Sequence, residues 1–67
     1  MNDAKTIPNQ VRLLNVSEAA AYLGTTVWQI RTLGWAKKLR VIELGARWLF
    51  DRADLDAYID KLKAQSA

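Results

Sequence analysis

The spacing of apolar positions changes along this chain, and each change predicts an element. The first eleven residues are rich in Asn, Asp, Lys, Thr, Pro and Gln, show little periodicity, and contain Pro8, which forbids a helix through them. Residues 1–11 therefore read as a flexible arm. Leu13 and Leu14 form a short apolar pair that fits a brief strand. Ser17 then offers an oxygen to orphan amides and Glu18 suits a positive helix end. This predicts a short helix over residues 18–23, with Ala19, Ala20 and Leu23 inward and Gly24 as the left-handed residue that ends it. Thr25 and Thr26 supply another cap, and a second helix follows from Val27 with Ile30 and Leu33 inward. Two endings stay open. Gly34 as a cap stops that helix near Leu33, whereas Gly34 inside it, at a cost of about 1 kcal/mol relative to Ala, lets it run to Lys38.

From Leu39 to Phe50 the period falls to two. Ile42, Leu44, Trp48 and Phe50 fall on one predicted face, Val41, Glu43, Arg47 and Leu49 on the other, and Gly45 with Ala46 interrupts them, which predicts a hairpin. Asp51 caps a third helix, Asp54 stands at the capping-box position, and Phe50 can staple to Leu55. Leu55, Tyr58, Ile59 and Leu62 follow the helical rule as its inward stripe, with Lys61 and Lys63 in the last turn. The predicted fold class is mainly α with a small β-hairpin, in one domain over residues 12–64 with a tail at 65–67.

Composition narrows the function. Sixty-seven residues of 7.6 kDa leave no room for a second domain and only a thin core, which favours a binding module over an enzyme. Neither cysteine nor histidine occurs, so disulfides, thiolate or imidazole zinc sites and Ser-His-Asp arrangements are excluded, and no metal or cofactor is expected. The net charge is +3, and between Glu18 and Glu43 there is no acid while Arg31, Lys37, Lys38 and Arg40 all fall in that interval. Such a segment presents a positive face to a polyanion. No apolar run reaches membrane-spanning length and the N-terminus lacks a signal-peptide stretch, so a soluble cytoplasmic protein without membrane or small-molecule partners is expected. Asp51, Asp54, Asp56 and Asp60 are explained by capping and a solvated acidic face rather than by acid-base chemistry or magnesium.

Helix, tight turn, helix, hairpin, helix is the order of a small winged helix-turn-helix. Ala20, Gly24 and Ile30 stand at the spacing of the helix-turn-helix signature: Ala20 permits close helix approach, Gly24 takes the turn, and Ile30 fills the angle between the helices. The stretch from Leu14 through Gly24 and the stretch from Leu44 through Leu55 together resemble the excisionase family of phages and mobile elements, related to MerR-type DNA-binding domains. The resemblance covers about residues 13–62. Three positions depart from it: the family usually has Gly where Lys37 stands, an apolar residue where Gly34 stands, and a basic residue where Glu43 stands.

The resemblance implies that the second helix enters the major groove of double-stranded DNA and the hairpin wing lies along the backbone or minor groove. Thr26, Val27, Trp28, Gln29, Arg31 and Thr32 then belong to the recognition helix, where Gln29 and Arg31 have the bidentate geometry that reads adenine and guanine edges. Arg47 at the wing tip matches the family's usual basic residue, and Lys37, Lys38 and Arg40 are assigned to phosphates. Trp48 is read as core. Trp28 either contacts a sugar or a thymine methyl or covers the hairpin; Trp35, Val41 and Leu49 are candidates for partial exposure. The family further implies side-by-side self-association on attachment-site DNA, DNA bending, and contact with a tyrosine-type integrase that drives recombination toward excision, the work of a recombination directionality factor. A small phage regulator with the same surface, or an interaction domain without DNA binding, are the alternatives.

Overall fold

The computed structural model describes residues 11–66, so all of the predicted arm except Val11 lies outside the described residues. Chain order is β1 (Leu13–Asn15), α1 (Val16–Leu23), α2 (Val27–Trp35), β2 (Ile42–Leu44), β3 (Arg47–Asp51) and α3 (Arg52–Ser66). The first helix starts earlier than the sequence suggested because Asn15, not Ser17, caps it. Asn15 Oδ1 accepts from the Glu18 amide at 2.7 Å, and Glu18 Oε1 accepts from the Asn15 amide at 2.9 Å, a reciprocal capping box. Gly24, at φ +71°, ends α1 as predicted, and Thr26 caps α2 by accepting from the Gln29 amide at 3.1 Å.

Neither sequence-based ending for α2 holds. The helix passes through Gly34 and stops at Trp35. There the Lys38 amide donates to the Leu33 carbonyl at 2.9 Å and the Lys37 amide to the Gly34 carbonyl at 3.1 Å. That bonding is a Schellman closure, and its left-handed residue is Lys37, at φ +62°. Gly34 serves a different need: a Cβ there would stand 2.8 Å from the Trp48 ring and 3.0 Å from Val41, so its lack of a side chain lets α2 lie against the hairpin.

The hairpin is present but half of its predicted facing is reversed. Gly45 and Ala46 form a two-residue loop, with Gly45 at φ +64°, which sets Leu44 opposite Arg47, Glu43 opposite Trp48 and Ile42 opposite Leu49. Cross-strand partners share a face. Ile42 and Leu44 therefore join Arg47 and Leu49 on the outer face, while Glu43 lies on the face of Trp48 and Phe50. The Leu13-Leu14 pair is a true strand, adding a third member to an antiparallel sheet of order β1-β3-β2 with Leu14 opposite Phe50.

Leu14, Ala19, Ala20, Ile30, Leu33, Leu39, Phe50 and Leu55 form the buried core. The start of α3 is held twice: the Arg52 amide donates to the Arg12 carbonyl at 2.8 Å, and Asp51 Oδ1 accepts from the Ala53 amide at 2.9 Å. The Tyr22 hydroxyl donates to Asp56 Oδ1 at 2.5 Å, tying α1 to α3, and that bond raises the Tyr22 pKa. Beyond Ile59 the helix outruns the core, so Leu62, predicted inward, is 41% exposed, and the helix continues through Ser66 into the stretch assigned to the tail. No helix among the described residues is long and apolar enough to cross a membrane. Two helices joined by a tight turn, a β2–β3 wing and a closing helix make this a winged helix-turn-helix.

Lys37→Gly removes the Cβ from a left-handed position and is expected to stabilise the domain by about 1 kcal/mol, seen as a rise in melting temperature of about 4–8 °C. A lower melting temperature would contradict the closure described. The Ala53 amide, and after it the Arg12 guanidinium at 3.0 Å, hold the Asp51 pKa below its ordinary value. A depressed carboxylate stabilises the fold above its unfolded pKa of about 3.9 and loses that contribution as pH falls through the folded value. Melting curves between neutral and strongly acid pH should therefore fall less steeply for Asp51→Asn than for the parent chain.

Candidate nucleic-acid interface

Burial of Ile30 and Leu33 fixes how α2 is rotated. At about 100° per residue, Trp28 and Thr32 point away from Ile30, while Gln29 and Arg31 flank it on opposite sides. Val27, Trp28, Gln29 and Arg31 are all exposed. Thr32 is half-buried and its hydroxyl donates to the Trp28 carbonyl at 2.9 Å, while the Thr26 hydroxyl is engaged as the cap. Thus two of the six sequence-predicted recognition residues already use their hydroxyls within the helix, and Arg31 is the only charged side chain on its outward surface.

Arg31 leans toward the wing. A groove of about 400 Å³ runs between the start of α1, the first turns of α2 and the hairpin tip, and Val27, Arg31 and Arg47 line it together with Ser17. Two guanidiniums from distant parts of the sequence are thereby brought to one concavity. Both belong to exposed residues, and among the described residues neither makes an ion pair. Ser17, which fails as a cap, is part of the lining of the same groove. Nothing in the local sequence signals this, because the start of α1 and the wing lie far apart in the chain and meet only in the folded domain.

Lys37, Lys38 and Arg40 do not join that cluster. They line a second, larger open groove of about 900 Å³ between the end of α2, the start of the hairpin and α3. Trp48 lines both grooves and is the partition between them. The structure thus divides the sequence-predicted basic surface into an Arg31–Arg47 side and a lysine-rich side, with Gln29 lining neither groove.

Aromatic side chains connect the surface to the core. Ring centroids of Trp28 and Trp35 lie 5.7 Å apart, Trp35 and Trp48 6.2 Å, and Trp48 and Phe50 6.4 Å, each pair edge-on. Phe50 is fully buried, Trp48 half-buried, and Trp35 and Trp28 are 57% and 66% exposed. Trp28 therefore does not enter the core; it stands on the outward face against Trp35.

The sequence of residues 13–63, well over half of the chain, matches the family model described as a helix-turn-helix domain. No curated protein and no solved structure matches the chain.

Because Arg31 and Arg47 are exposed and carry no packing duty, Arg31→Ala and Arg47→Ala are each expected to change stability by less than about 0.5 kcal/mol. A thermal melt showing a larger loss in either variant would mean that the side chain is structural.

Proposed function

Because the chain belongs to the helix-turn-helix domain family, we propose that it binds double-stranded DNA sequence-specifically, with α2 in the major groove and the β2–β3 wing on the flanking backbone. The observation that carries this reading is the convergence of Arg31 from α2 and Arg47 from the wing tip on one groove. A guanidinium on the helix can bond guanine O6 and N7, and one at the wing tip can bond phosphate oxygens. Gln29, exposed on the other flank of α2, reads adenine. Trp28, at the outermost line of the helix, meets thymine methyls or sugars, and Val27 and Thr32 complete the contact by shape. Thr26 contributes by capping the helix that does the reading.

One such module buries only about 600–1,000 Å² on DNA, too little for selective binding against a genome of competing sites. Assembly of several copies on neighbouring sites multiplies that contact. Together with the resemblance over residues 13–62, this supports a non-catalytic excisionase that assembles side by side on attachment-site DNA in a host bacterial cytoplasm. In that role it bends the DNA and directs a tyrosine-type integrase toward excision.

Gel shifts over a range of salt and duplex length test the reading. Binding should weaken linearly on a log-log salt plot, and longer duplexes should give a cooperative ladder of bands. Arg47→Ala should weaken all sequences alike, whereas Gln29→Ala should relax discrimination at one or two base pairs by about 1–3 kcal/mol each. A single salt-sensitive complex on every duplex would favour a simple regulator over the excisionase, and no complex at low salt would overturn DNA binding altogether.

A further inference from the structure

The larger groove differs in chemistry from the one that holds Arg31 and Arg47. Its apolar surface is formed by Trp35, Val41, Trp48 and Tyr58, beside the buried Leu39. Around that surface stand Lys37, Lys38 and Arg40 from the α2–β2 connection and Lys61 from α3. All four are exposed, and among the described residues none of them is held in an ion pair. Two carboxylates, Glu43 and Asp54, also line the groove.

We propose that this groove docks an acidic segment of a partner protein that inserts one aromatic or aliphatic side chain between Trp35 and Tyr58 while its carboxylates face the four cations. The apolar surface is what separates this occupant from a nucleic acid. A phosphate backbone needs cations and hydrogen-bond donors along its whole path and leaves Trp35, Val41 and Tyr58 without a partner. An acidic peptide with a single apolar anchor satisfies both halves of the groove: the anchor removes the exposed indole and its neighbours from water, and rim charges steer the encounter. Trp48 separates the two grooves, so a partner here leaves Arg31 and Arg47 free. The assignment does not depend on the DNA reading.

Trp35 and Trp48 make the test direct, since an anchor seated in the groove changes the surroundings of both indoles. Titration of the full chain with a short synthetic peptide of Glu and Asp carrying one central Phe should give a saturable change in tryptophan fluorescence. Replacing the Phe by Ala in the peptide, or Lys38→Glu together with Lys61→Glu in the protein, should weaken binding by about tenfold or more, whereas Arg47→Glu should leave it unchanged. Circular dichroism establishes that each variant is folded. Absence of a saturable change, equal binding of the Phe and Ala peptides, or equal weakening by Arg47→Glu would each overturn the proposal. Displacement of the peptide by a saturating DNA duplex would also overturn it, by assigning the groove to nucleic acid. Peptide binding by a chain that fails to shift DNA would instead leave the groove standing and remove the DNA reading.

Discussion

The β1–β3 pairing is the constraint on which the rest depends. It places Leu14 opposite Phe50, both fully buried, and so joins the first element of the domain to the strand that precedes its last helix. The neighbouring positions multiply the effect. Asn15 is at once the last residue of the ladder, opposite Leu49, and the cap of α1. On the other side, Asp51 faces Leu13, receives the Arg12 guanidinium and caps α3, whose first amide reaches the Arg12 carbonyl. A few residues thereby set the starting points of two helices, and a shift of register would displace both caps and turn Leu14 outward.

Against this clamp α2 is positioned by shape. Ile30 fills the angle with α1, and Gly34 lets the helix approach the Trp48 ring more closely than any Cβ-bearing residue allows. The closing turn then uses Lys37 in a left-handed conformation, which costs energy that a glycine would not. The same geometry sends Lys37 and Lys38 away from the helix face and into the groove beside α3. What looks in the sequence like one basic surface is thus divided by the ring of Trp48, and its two halves acquire different surroundings. One is a pair of guanidiniums near the wing tip; the other is a set of cations around exposed aromatic and aliphatic carbon.

Much of the local structure was legible because its causes are local. Gly24 ends α1 because it lacks a Cβ, Thr26 and Asp51 start α2 and α3 as their side-chain oxygens dictate, and the periodicity of Ile30, Leu33 and Leu55 marks buried positions. Errors arose where two local signals compete, or where something outside the element decides. Ser17 and Asn15 are both competent caps, and the choice fell to Asn15 because Glu18 stands three residues on and returns the bond. Alternation along the hairpin was correct within each strand, yet the relative facing of the strands is set by the loop, which reverses β2. Leu62 keeps the helical spacing of Leu55 and Tyr58 but, among the described residues, lies beyond the core against which α3 packs.

The sequence by itself determined the element order, the helix-turn-helix signature of Ala20, Gly24 and Ile30, the excess of positive charge and the thinness of the core, because each follows from residue type and spacing. Tertiary structure alone decided that Leu13 and Leu14 complete a sheet with residues 49–51, and that α2 runs through Gly34. It also brought Arg31 to Arg47 while turning Lys37, Lys38 and Arg40 to the other side of Trp48. These outcomes depend on which surfaces meet across long stretches of chain, and excluded volume and strand register settle that only when the whole domain has closed.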